Sequence, residues 1–171
     1  VLSIEDRLDI LDLYARYAQA VDQGRYADWC ACFTDDGYLA VPVNNIHVQG
    51  PEQLDKFARG YWKRSGGLER HLFTNIVIEA DGDGGGAGGD GGGAGGVGGG
   101  AGGVGGGAGG VGGGAGDGVR GSCYLTMLIG GSGKQTPRFT TTGIYRDQLV
   151  RTENGWRFRG RDLHVDVRAS E

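Results

Sequence analysis

Asp22 is the first residue in this chain whose placement asks for a chemical explanation. An advance of about 100° per residue from Ile4 gathers Leu8, Leu11, Ala15 and Ala18 on one arc of a helix, and Asp22 returns to nearly the angle of Ile4. A carboxylate aimed at a core is costly unless it is paired or put to use. The alternative is that Asp22 lies past the last turn, with Gly24 as the C-cap, and turns to water. Imidazole is the side chain that acts as a base near neutral pH, and the chain has three: His47, His71 and His164. His47 reads as a loop residue. His164 shares the strand face of Trp156 and Phe158, which suits packing. His71 sits on a strand, where a lone histidine is commonly a hydrogen-bonded core residue. Cys30, Cys32 and Cys123 form no C-x-x-C pair, so neither a disulfide framework nor a zinc site is expected.

The elements that would position these groups follow from the pattern. Ser3 with Glu5 and Asp6 marks the start of the first helix, Leu8 to Val21 with Asp22 at its end. A short helix from Tyr26 to Phe33, a turn at Asp35-Asp36-Gly37 and a strand from Tyr38 to Val43 come next, with Ile46 to Gln49 as return partner. Gly50-Pro51-Glu52 opens a third helix with the apolar stripe Leu54, Phe57, Ala58 and Tyr61, stopped by Ser65-Gly66-Gly67. Arg70 to Ala80 reads as a strand with bulk on both alternating sets. His71, Phe73, Asn75 and Val77 face one way; Leu72, Thr74, Ile76 and Ile78 face the other. One side is expected under the helices and the other against a partner subunit. Val119 to Ile129, Arg138 to Thr152 and Trp156 to Val167 complete a run of antiparallel strands, with a hairpin turn at Glu153-Asn154-Gly155. Helices first and strands after indicate an α+β domain.

Composition narrows the function classes. The chain has 171 residues, net charge −4 and 39 glycines, of which 24 fall in residues 84–116. That tract repeats Gly-Gly-Gly-Ala-Gly-Gly, with alanines at 87, 94, 101, 108 and 115. It has too little apolar surface to offset its ordering entropy and is expected to be a flexible insertion in a single domain spanning 1–171. It stands where a hairpin turn is expected, and is expected to be functionally neutral or a tether that carries no chemistry. Its seventh positions are mostly valine, which excludes calcium-binding glycine repeats. Arg157, Arg159 and Arg161 alternate along a strand and make a poor footprint for nucleic acid. No apolar run approaches a membrane span. A cytoplasmic setting, no metal and no cofactor are the expectations.

Together, Leu13-Tyr14-Ala15-Arg16-Tyr17, Val21-Asp22, Trp29, Phe33-Thr34-Asp35-Asp36-Gly37, Gly50-Pro51-Glu52, Arg70-His71 with Asn75, Tyr145-Arg146-Asp147 and Gly155-Trp156-Arg157-Phe158 resemble the SnoaL-like branch of the nuclear-transport-factor-2-like superfamily. The resemblance covers nearly the whole chain except the glycine tract. It implies a cone-shaped α+β barrel in which a strongly curved antiparallel sheet wraps the helices, with a pocket at the open end. Scytalone dehydratase, bile acid 7α-dehydratase and lindane dehydrochlorinase, within that superfamily, are cofactor-free eliminating enzymes that use a strand histidine held by an aspartate.

The resemblance puts the aspartate at Asp22, the histidine at His71, an acid at Tyr17 and a charge-holding arginine at Arg161. Imidazole would act as base, with the carboxylate fixing its tautomer. Tyr17 would serve the leaving oxygen or a carbonyl, and Arg161 the developing charge. Tyr17 stands about 140° from Asp22 on an ideal helix, so Tyr14 competes for the role, and Arg161 could instead pair with Asp162 or Asp147 at the surface. Trp29, Phe73 and Asn75 are expected to line the substrate site, with Tyr124 or Thr126 from the strand after the histidine strand. The expected function is a lyase, dehydratase or isomerase acting on a hydrophobic cyclic or polyketide-like small molecule, as a dimer or trimer assembled through the sheet. Residues 29–43 also look like the non-catalytic β subunit of a ring-hydroxylating dioxygenase, whose partner would be an iron-bearing α subunit. A ligand-binding pocket without turnover is the remaining alternative.

Overall fold

A computed structural model of the protein describes residues 1–80, 118–131 and 136–166. The glycine repeat at 84–116 lies outside these residues, as does Val167. Three helices precede most of the sheet: α1 (Ile4–Asp22), α2 (Tyr26–Cys30) and α3 (Gly50–Ser65). The strands are β1 (Phe33–Val41), β2 (Ile46–Gln49), β3 (Glu69–Ala80), β4 (Gly118–Ile129), β5 (Arg138–Thr152) and β6 (Gly155–Val165). They form one six-stranded sheet in the order β2-β1-β6-β5-β4-β3. The β1–β6 pair is parallel and the other neighbours are antiparallel, so the sheet is mixed. The second helix ends before Phe33, and Asp35-Asp36-Gly37 runs inside β1, where the pairing with β6 shifts register, instead of making a separate turn.

α1 begins with a capping box, in which Ser3 and Asp6 satisfy each other's backbone N–H groups. It ends with Gly24 in the left-handed region at φ 68°. There the Arg25 N–H reaches the Ala20 carbonyl at 2.9 Å, which closes the last turn at Asp22. A Cβ on Gly24 would lie 2.9 Å from the Trp62 ring, so α3 also needs glycine there.

The buried face of α1 is Ile10, Leu13, Tyr14, Tyr17, Ala18, Ala20 and Val21. The arc of Ile4, Leu8, Leu11 and Ala15 faces outward instead. The two tyrosines decide the matter: their rings fill the space between α1 and the sheet, packing against Phe73, Phe158 and Trp29. Aliphatic periodicity alone selects the other stripe. α3 buries Leu54 and Ala58, with Phe57 and Tyr61 half-buried beside them, as its stripe predicts.

Two irregularities set which strand residues face inward. In β3 the pairing with β4 shifts between Thr74 and Val77, and Asn75 takes φ 55°. One residue is added, so the inward set runs His71 and Phe73 before the bulge but Ile76 and Ile78 after it. Leu72 and Val77 are left on the exposed face. In β6 the pairing with β5 shifts where Leu149 meets Phe158 and Gln148 meets Gly160. Arg159 is the extra residue and stays exposed, whereas Arg161 turns into the core. The alternation of Arg157, Arg159 and Arg161 along one face therefore breaks, and His164 lands on the exposed side, away from Trp156 and Phe158. His47 lies on β2 with its ring stacked on Tyr38 at 5.4 Å.

Candidate functional site

The closed end of α1 delivers Asp22 to the start of β3. Its Oδ1 is 2.6 Å from His71 Nδ1, and its Oδ2 accepts the His71 backbone N–H at 3.0 Å. One carboxylate thus grips both ring and main chain of the same residue. The Asp22 and His71 side chains are 8% and 7% exposed, so water does little to weaken the contact. Nδ1 faces a carboxylate, which selects the tautomer with the proton on Nδ1. Nε2 is left with a free lone pair and has no hydrogen-bond partner among the described residues.

His71 lines a cavity of about 240 Å³ between the helices and the sheet. Its apolar walls include Val21, Trp29, Leu39, Phe57, Met127 and Leu163. Polar groups enter at separate points: Tyr17 and Tyr145, Tyr61 and Glu69, and Asn44, Arg64 and Thr141. Of the residues expected from sequence, His71, Tyr17 and Trp29 border the cavity and Asp22 stands behind His71.

The other expected residues do not line it. Tyr14 turns away and donates to Asp147 Oδ2 at 2.6 Å. Phe73 packs behind the wall, edge-on to Tyr145 and Tyr14. Asn75 is exposed at the β3 bulge, because the added residue carries it off the inward face. Tyr124 and Thr126 belong to the outward set of β4, whose inward set is Val119, Cys123, Leu125 and Met127. Met127 and Thr141 supply the lining in their place. Sequence reasoning missed Glu69 by starting β3 one residue late; at two residues before His71, it shares that residue's face. Tyr61 was visible as part of the α3 stripe, and Tyr145 as part of the Tyr-Arg-Asp motif.

Arg161 is fully buried and not at the surface. Its Nε and Nη2 donate to Asp147 at 2.8 and 3.1 Å. Its guanidinium carbon lies 4.0 Å from the Tyr145 ring centre, 4.1 Å from Phe158 and 4.2 Å from Tyr17. Tyr17 and Tyr145 therefore form the layer that separates this cation from the cavity, so Arg161 does not reach a ligand there. Its Nη1 has no hydrogen-bond partner among the described residues. Glycine at 121 is required by the same cluster, since a Cβ there would sit 2.3 Å from the Tyr14 hydroxyl.

Burial pushes the Tyr17 hydroxyl above its usual value, while the Arg161 charge and the Tyr145 hydroxyl pull it back. Burial also drives Tyr145 well up. Both remain neutral O–H donors at physiological pH. Burial raises the Asp147 carboxyl, against the pull of Arg161 and Tyr14. Chemically, the cavity offers an oriented imidazole, neutral phenol donors backed by a buried cation, and apolar walls that exclude water. Among the described residues, no group of three His, Cys, Asp or Glu side chains is arranged to hold a metal ion.

No helix among the described residues is long and apolar enough to cross a membrane. No curated protein matches the sequence. Solved structures share the fold. Aln2 from a Streptomyces species is 22% identical with a TM-score of 0.68, over 97% of this chain and 94% of that one. A protein of unknown function with a cystatin-like fold from Nostoc punctiforme is 19% identical, TM-score 0.67, over 96% and 94%. A protein from Catenulispora acidiphila in complex with S-DNPA is 18% identical, TM-score 0.64, over 94% and 92%. The model of the SnoaL-like domain matches residues 2–106 and 111–162, and with the NTF2-like, cystatin-like fold of its neighbours this chain belongs to the SnoaL-like domain family.

Proposed function

We propose that the chain is a cofactor-independent lyase of the dehydratase type, or an isomerase, acting on a hydrophobic cyclic small molecule. The observation that carries this reading is the 2.6 Å contact between Asp22 and His71 Nδ1, with Nε2 left free on the wall of an apolar cavity. Nε2 takes a proton from a carbon next to the bond that breaks or to a carbonyl. The imidazolium that forms is stabilised by the Asp22 carboxylate. Tyr17 donates to the leaving or carbonyl oxygen, and Tyr145 supports it. Arg161 acts as a positioning residue through these two rings: its charge lowers the cost of negative charge developing on the oxygen they bind. In isomerisation the imidazolium returns its proton to a different carbon; in elimination the leaving group departs with the bonding pair. A cavity of about 240 Å³ suits a molecule of one or two rings.

Leu72, Val77, Tyr124 and Phe139 are exposed on β3, β4 and β5, which favours assembly through the sheet. A second copy is the preferred occupant; an α-type oxygenase subunit is the competing one, and would make this chain a structural subunit. The catalytic reading is tested by screening hydroxylated and halogenated cyclic compounds for elimination or double-bond migration. His71→Ala should lower the rate by at least about 10²-fold, and Asp22→Asn by a similar factor while leaving the fold intact. Undiminished turnover in folded His71→Ala contradicts the reading.

A further inference from the structure

The polar groups of the cavity differ in kind, and the pair beside His71 has no role in the proton transfer just described. Glu69 and His71 are alternate residues of β3 and project to the same side, and both line the cavity. Tyr61 comes from the last turns of α3, with its ring 5.7 Å from the His71 ring. Its hydroxyl donates to Glu69 Oε2. Burial first, then the Glu69 hydrogen bond and charge, hold Tyr61 far above the ordinary tyrosine value, so it keeps its proton and spends it on Glu69.

That arrangement fixes what remains available. A phenol has one O–H, so Tyr61 has no donor left and offers only an oxygen lone pair. A carboxylate is an acceptor at both oxygens, and Glu69 Oε1 has no hydrogen-bond partner among the described residues. Tyr17, hydrogen-bonded to Tyr145, is the hydroxyl donor of the opposite side; the Tyr61–Glu69 pair presents acceptors, and Arg64, three residues after Tyr61 on α3, is the cation among the lining residues. A ligand seated against the Tyr61–Glu69 pair must bring a donor of its own, or it leaves a half-buried carboxylate oxygen unpaired.

We infer that Tyr61 and Glu69 form a recognition subsite for a hydroxyl or N–H group on the substrate, with Glu69 Oε1 as the atom that accepts it. The subsite makes Glu69 a specificity-determining residue. It narrows the substrate class to ring compounds that carry a hydrogen-bond donor on the side of the ring facing β3. The inference deepens the proposed reading and takes the same cavity as the substrate site, but its test requires no turnover.

The test is calorimetric titration of the whole chain with 2-naphthol and with 2-methoxynaphthalene. The two share a ring system and an oxygen acceptor, and only the naphthol donates. A hydrogen bond to a carboxylate corresponds to a preference of about tenfold or more for the naphthol. Glu69→Leu should reduce that preference to about onefold. Glu69→Gln preserves shape and a neutral acceptor, so it should retain only part of the preference, which keeps the test valid if the leucine variant does not fold. Tyr61→Phe releases Glu69 Oε2 as a second acceptor and removes nothing the methoxy compound can bond, so it should keep or raise the naphthol preference. His71→Ala should keep the naphthol preference. Equal binding of the two ligands by the unaltered chain, no binding of the naphthol, an undiminished preference in Glu69→Leu, or loss of the preference in His71→Ala with its full retention in Glu69→Gln, would each overturn the inference. Retained preference in a chain with no turnover of any substrate would remove the catalytic reading and leave the donor subsite standing.

Discussion

Replacing Arg161 by methionine perturbs the most heavily buried charge among the described residues. The guanidinium is 0% exposed and Asp147, its bidentate partner, is 2% exposed. Without Arg161, the Asp147 carboxylate has only the Tyr14 hydroxyl as a hydrogen-bond partner among the described residues. Leaving one member of such a pair uncompensated costs about 3–5 kcal/mol, against a total stability of about 5–15 kcal/mol for a domain. At about 2–4 °C per kcal/mol for a chain of this size, the midpoint should fall by about 6–20 °C.

The double variant Arg161→Met with Asp147→Leu removes both charges and should be less damaged than Arg161→Met alone, with a coupling energy of about 2 kcal/mol or more. Urea denaturation followed by circular dichroism measures all three chains. The pH dependence supplies a second check. Asp147 is raised above 3.8 by burial, and Arg161 is the larger of the influences holding it down. In Arg161→Met the folded-state value rises further above the unfolded one, so the folded chain binds the proton more tightly. Stability relative to the parent is then retained in acid and lost as pH rises from about 4 through that higher value. A single variant that costs less than about 1 kcal/mol, or a double variant that costs the sum of its parts, refutes the argument that the two charges compensate each other.

Other consequences can be measured on the same material. Asp6 is held below 3.8 first by its hydrogen bond from the Trp156 indole and next by Ser3, against the opposing effect of burial. Its contribution is therefore present above 3.8 and lost as pH falls through the lower folded value; urea stability of Asp6→Asn should trail the parent at pH above 3.8 and converge with it as pH falls below that lowered value. Asn75→Ala should cost about 1–2 kcal/mol because the bulge needs a positive φ, while Asn75→Gly should be neutral or stabilising in the same denaturation assay. If the outer sheet face is covered by a second copy, the pair Leu72→Lys and Tyr124→Lys should shift the light-scattering mass from oligomer to monomer. A mass unchanged by both places the interface elsewhere.

The fold was legible because turn and stop residues carry local information. Gly50-Pro51, Ser65-Gly66-Gly67 and Glu153-Asn154-Gly155 bound α3 and the β5–β6 hairpin where expected, and β5 spans Arg138–Thr152 as read. Facing was less legible. α1 carries two stripes, and counting only aliphatic side chains picks Ile4, Leu8 and Leu11, which are exposed, over Tyr14 and Tyr17, which are buried. Asp22 is shielded through the chain closure at Gly24 and its approach to β3, not by lying on a buried arc. In the strands, single added residues at Asn75 and Arg159 reverse the inward set, and alternation carries no trace of that. Family resemblance placed Asp22 with His71 and Tyr17 in one neighbourhood, but it set Arg161 against the substrate. The ring contacts place it one aromatic layer behind. The pairing of Tyr61 with Glu69 went unread because it spans α3 and β3, and no local pattern links the two residues.

The central claim is that Asp22 holds the His71 ring with its proton on Nδ1, so that Nε2 is a base facing the cavity. Nitrogen-15 correlation spectra of the labelled chain, recorded with the His71 ring in its neutral form, test it most directly. The account predicts a protonated Nδ1 and an unprotonated Nε2 for His71, with that tautomer preference lost in Asp22→Asn. A His71 ring carrying its proton on Nε2 in the unaltered chain would contradict it.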